Sequence, residues 1–137
     1  MQEWVLEART RIFGPKHPDT LTSMAHLAVT VGDRGDLEGA QAMQERVLEA
    51  RTRILGPEHP DTLACMNDLA ATRYSRGDLE AAQAMQDRVL EARTRFLGPK
   101  HPATLKSMGS LAVTLRARGE LEQAQALEEW RPPSLSG

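Results

Sequence analysis

The chain is predicted to be all-α, a stack of antiparallel helix pairs with about seven helices in three repeats of 42 residues. Three observations carry that expectation. GPKHPDT at 14–20, GPEHPDT at 56–62 and GPKHPAT at 98–104 recur at a fixed 42-residue period, the mark of a tandem array. Between 14–55 and 56–97 only 12 of 42 positions differ, leaving 30 identical. Apolar residues follow helical spacing, and no run alternates as a half-buried strand would.

The elements follow in order. Residues 1–13, MQEWVLEARTRIF, copy 43–55 with two changes and are read as the remnant of a second helix. Units 14–55, 56–97 and 98–131 then form one array over 1–131, and 132–137 is expected to be a disordered tail. In the middle unit Leu63, Met66, Leu69 and Ala70 make one stripe of a first helix. Gly77 interrupts it, and Asp78 is suited to cap the second, where Leu79, Ala82, Met85, Val89 and Leu90 form the apolar face. Glu49 with Arg53, and Glu91 with Arg95, stand four apart in the favourable order on its outer face.

Gly-Pro-x-His-Pro is the punctuation between units. Gly14, Gly56 and Gly98 are expected to end helices in a left-handed conformation. Pro18, Pro60 and Pro102 fit the first turn of the next helix, where a missing N–H costs nothing. His17, His59 and His101 then fall at the cap, with Asp19 and Asp61 placed well against the helix dipole. Ala103 replaces that acid in the third copy. A shared metal is not expected, because equivalent atoms of stacked helices lie about 8–10 Å apart, whereas zinc holds its ligands at about 2 Å.

These motifs resemble the tetratricopeptide repeat, in the 42-residue variety of kinesin light chains. The carriers are L-G-P-x-H-P-D-T-L, Met-Asn-Asp-Leu-Ala at 66–70, and R-G-D-L-E-x-A, and the likeness covers 1–130. The resemblance implies a right-handed superhelical solenoid whose first helices line a concave, peptide-binding face. Small residues would sit where its helices approach closely: Ala28, Ala70 and Ala112 on first helices, Ala40, Ala82 and Ala124 on second ones. The groove positions carried over are Thr22, Ala25, Val29, Gly32 and Asp33; Ala64, Asn67, Ala71, Tyr74 and Ser75; and Lys106, Gly109, Val113, Arg116 and Ala117.

Divergence between the copies points to the same face. Eight of the 12 differences between the first two units fall between Thr22 and Asp33. Asn67 could bond both N–H and C=O of an extended peptide. Tyr74, Lys106 and Arg116 add a ring and two cations, which hint at an acidic or C-terminal carboxylate ligand, although Asp33 opposes a uniformly basic groove. Ala25 and Gly109 stand where the middle copy has Asn67, so no asparagine ladder runs along the array.

Other functions find no support. There is no phosphate loop, nucleophile elbow or zinc-ligand cluster, so neither catalysis nor a cofactor is expected. A net charge of −2 does not suit a nucleic-acid binder, and no run is apolar enough for a membrane span. The lone Cys65 suits a reducing compartment, taken as the cytoplasm, and reads as a small buried hydrophobe without a cationic neighbour. The opening residues lack the apolar core of a signal peptide. Trp4 and Trp130 align with each other where inner copies have Arg46 and Arg88. Three readings of these ends stay open: a piece of a longer array, tryptophans that cover the ends of a monomer, and head-to-tail self-association.

Overall fold

The computed structural model describes residues 18–130, so the predicted remnant helix at 1–13 and the tail at 132–137 lie outside the described residues. Those residues form six helices and no strand. They are α1 (Pro18–Asp33), α2 (Leu37–Leu55), α3 (Pro60–Ser75), α4 (Leu79–Leu97), α5 (Pro102–Ala117) and α6 (Leu121–Glu129). Within each unit described next, connections of three or four residues join neighbouring helices that pack on one another, as in helical hairpins. The chain divides into two compact units, 1–76 with α1 to α3 and 77–137 with α4 to α6.

The helix boundaries are set by local chemistry. His59 and His101 have extended backbone, and each Nδ1 accepts the N–H two residues on, from Asp61 and Ala103, at 3.0 Å. The following proline occupies the first helical turn. At the other end, the N–H of Gly56 bonds the Thr52 carbonyl, with φ 99° and ψ 157°. Its φ is positive as expected, but this ψ belongs to the mirror-extended region, which is essentially reserved for glycine. The chain can therefore leave the helix in an extended direction toward Pro57. After α5, Gly119 at φ 82° closes a Schellman turn in which Glu120 N–H reaches back to Leu115 O at 2.9 Å. Asp36 and Asp78 cap α2 and α4 through Gly39 N–H and Ala81 N–H. Glu120, at the same place before α6, makes no such bond.

Each unit has its own core. In the first, Leu21, Val47 and Cys65 are buried together, with Met24, Ala25, Leu48 and Ala50 packed around them. In the second, Leu111, Ala112, Leu115 and Ala124 cluster against Leu90 and Leu127. Burying one such leucine or valine contributes about 1.5–3 kcal/mol. All six alanines expected at close approaches are buried. A methyl added at Gly32 would stand 3.3 Å from Ala40 Cβ, which shows how near α1 runs to α2.

Arginines tie each second helix to the first helix that follows. Arg51 Nη1 donates to Cys65 Sγ at 2.8 Å and to the Asp61 carbonyl at 3.5 Å. Its Nη2 donates to Thr22 Oγ1 at 3.2 Å. In the second unit Arg93 Nη1 donates to Ser107 Oγ at 2.7 Å and the Ala103 carbonyl at 3.2 Å. The expectation that Cys65 lacks a cationic neighbour is therefore corrected. Arg51 comes from the preceding second helix, 14 residues back, where no local pattern points to the thiol.

Candidate functional site

Six residues at which the copies disagree, Val29, Gly32, Asp33, Asp68, Ala71 and Ser75, are brought together in the first unit. A recess of about 280 Å³ opens between α1 and α3. Helix α1 lines it with Ala28, Val29, Gly32 and Asp33, spaced as one helical face. Helix α3 contributes Asp68, Ala71, Thr72 and Ser75, also on one helical face, and α2 adds Leu37 and Gln44. Five of the lining residues, Val29, Gly32, Asp33, Ala71 and Ser75, belong to the groove set carried over from the family.

The chemistry of the recess is one-sided. Asp33 and Asp68 supply two carboxylates, and no Lys or Arg is among the lining residues. Gln44 is only 6% exposed, and its Oε1 has no hydrogen-bond partner. A buried acceptor left without a donor carries a cost of about 1–3 kcal/mol. Gly32, Ala71 and the apolar side chains of Val29 and Leu37 also line the recess. Such a site can accept hydrogen bonds from a donor-rich group and cover its apolar stem.

The remaining predicted positions lie elsewhere. Asn67 and Tyr74 are half-buried on α3 but do not line the recess. Thr22 is engaged by Arg51 and borders a smaller hollow of about 30 Å³ beside Asp61. Lys106 is exposed on α5. Arg116 is exposed too, but Glu128 of α6 accepts from its Nε at 3.1 Å through both carboxylate oxygens. That pairing holds the Glu128 carboxyl below the usual carboxylate range and pushes Arg116 up. One of the two expected groove cations is thus already neutralised. Trp130 is half-buried just after α6, and Trp4 lies outside the described residues.

Five of the ten lining residues lie outside the predicted groove set, Asp68 and Gln44 among them. Asp68 had a visible signal, since it is one of the eight clustered differences, with His26 in its place one copy earlier. Gln44 had none, because the same residue recurs as Gln86 and reads as ordinary second-helix surface. A second recess of about 280 Å³, between α1 and α2, is bordered by Leu21, Met24, Ala50 and Ile54 and by the Glu49–Arg53 pair. It takes in none of the predicted positions. Among the described residues no group of His, Cys, Asp and Glu is arranged to hold a metal. No described helix is long and apolar enough to cross a membrane.

Comparison with known proteins agrees with this architecture. A sequence profile described as tetratricopeptide repeat matches residues 2–51, 26–94 and 69–130. Two solved structures of nearly identical TPR-like repeats, described as from a kinesin light chain of Podosopora anserina, each superpose with a TM-score of 0.84. The first, a single-residue variant, is 27% identical and is matched over 93% of this chain and 60% of its own. The other is 26% identical, over 97% and 68%. BtubC (BKLC) from P. vanneervenii shares the fold, with a TM-score of 0.83 at 21% identity, over 96% of this chain and 57% of its own. The chain thus spans 60% of the first of these structures. No curated protein matches it.

Proposed function

Because the chain belongs to the tetratricopeptide-repeat family, whose repeats generally mediate protein–protein interaction, we propose that it is a non-enzymatic scaffold. It binds an extended peptide or partner protein on the face lined by its first helices, α1, α3 and α5. The observation that supports this is the recess between α1 and α3. Its walls carry the divergent pairs Val29 and Ala71, and Asp33 and Ser75, whereas the second helices behind them barely change between copies. The capping and clamping residues make a rigid frame, and the variable side chains stand on it.

Three units, 14–55, 56–97 and 98–131, act as one array over 1–131 in this reading. The ligand is protein, not nucleic acid or membrane, and no cofactor takes part. Its single cysteine suits the cytoplasm. Asn67 and Tyr74 would add to the contact in the first unit, and Lys106 is the candidate groove residue of the second. The test is selection of peptides from a displayed random library on the immobilised protein, repeated on Ala71→Trp. Ala71 is exposed, so the ring fills the recess without entering a core. Loss of the selected peptides on this variant is expected; their retention would sink the reading.

Self-association is the second reading. Leu121 of α6 is 55% exposed, while its repeat equivalents Leu37 and Leu79 are half-buried. Trp4 and Trp130 would join in such a contact between copies.

A further inference from the structure

The third repeat holds a clue to what the first one lacks. Arg116 and Glu128 are bonded to each other, and two repeats earlier the same positions are Gly32 and Gln44. The molecule therefore displays a guanidinium seated on the acceptor at this place in the repeat. In the first unit the arginine is missing, and Gly32 lines the recess without a side chain, although a Cβ there would stand 3.3 Å from Ala40 Cβ. The acceptor position holds the buried Gln44, whose Oε1 is unpartnered, as is that of Gln86 one repeat on. Two carboxylates, Asp33 and Asp68, border the opening.

We propose that the recess between α1 and α3 binds an arginine side chain of the partner, whose guanidinium takes the place that Arg116 fills in the third repeat. The inference rests on the peptide-binding reading of this face and specifies its ligand as basic, opposite to the acidic peptide that Lys106 and Arg116 first suggested. Arginine fits better than lysine for a geometric reason. Its planar fork can meet Asp33 and Asp68 with separate N–H groups while one more reaches Gln44, whereas an ammonium is a single compact point. Val29 and Leu37 cover the methylene stem. The preference is confined to this recess, because one repeat on the positions of Asp33 and Asp68 are Ser75 and Ser110.

The experiment uses the full chain and peptides selected from the displayed random library. Enrichment of one arginine at a fixed position is expected. Replacing it by citrulline, or making Asp33→Asn with Asp68→Asn, should weaken binding about tenfold, the scale of two partly exposed charge contacts. The double variant should also flatten the salt dependence. A second variant, Gly32→Arg, supplies the guanidinium from within and should displace the peptide arginine without removing the carboxylates. Selected peptides that lack arginine, or that bind the double asparagine variant unchanged, overturn the proposal. If such peptides are still lost on Ala71→Trp, the face binds peptides and only the arginine assignment fails. If no peptide responds to Ala71→Trp, the peptide-binding reading fails with it.

Discussion

Arg51 Nη1 stands 2.8 Å from Cys65 Sγ, and 42 residues later Arg93 stands 2.7 Å from Ser107 Oγ. Thiol and hydroxyl thus serve as the same buried acceptor of an arginine from the preceding helix. Both arginines also reach a carbonyl in the first turn of the next helix, Asp61 or Ala103. The clamp joins one repeat to the next with one side chain.

If that equivalence holds, Cys65→Ser should leave stability within about 1 kcal/mol of the parent, since a hydroxyl already fills the role at Ser107. Arg51→Ala should cost more, about 1.5–3 kcal/mol, the range for hydrogen bonds from a charged donor. Urea denaturation of both variants checks the order, and an equal loss for the two would refute the clamp.

The same pair bears on reactivity. Burial, with 4% of Cys65 exposed, pushes its thiol above the ordinary range, and Arg51 opposes this only in part. Alkylation by iodoacetamide at neutral pH should therefore be much slower than that of free cysteine. Because the folded thiol holds its proton longer than the unfolded one, its stabilisation is full below the unfolded pKa and is lost as pH rises through the folded one. Thermal melts should show Cys65→Ser losing less stability than the parent between neutral and strongly alkaline pH; parallel curves would contradict this.

Glu120 offers a stabilising change. Asp36 and Asp78 cap their helices from this position, and Glu120, one methylene longer, does not. Glu120→Asp should restore the bond and add about 0.5–1 kcal/mol, read as a higher midpoint in thermal unfolding. No gain would mean that the backbone before α6 cannot present the shorter side chain.

Gly109 lies in the middle of the continuous helix α5, and apart from that helix's own backbone no atom comes within 4 Å of where a Cβ would stand. Gly109→Ala should therefore gain about 0.5–1 kcal/mol from helix propensity alone. A loss of stability would show that the space is less open than the geometry indicates.

Association is checked by light scattering after size exclusion, over a wide concentration range. Under the second reading the mass rises above 15.1 kDa with concentration, and Trp130→Arg or Trp4→Arg reverses the rise. A constant single-chain mass removes that reading and leaves the peptide face.

Helix positions, caps and repeat period were legible in the linear chain because each rests on short-range chemistry. Pro60 after His59, or Asp78 before Leu79, acts on backbone groups only two or three residues away. The buried alanines were legible too, because their spacing repeats in every copy. The clamp and the recess were not. Arg51 meets Cys65 and Thr22 across 14 and 29 residues, and nothing beside Arg51 marks it out from Arg53, which pairs on the surface with Glu49. Asp33, Gln44 and Asp68 become one acidic recess only when α1, α2 and α3 pack side by side. Arg116 reads as a free cation until α6 folds back and brings Glu128 to it. Sequence carries what a residue does to its own turn of helix. Which charges face each other, and which acceptor is left without a donor, depends on distances that packing alone sets.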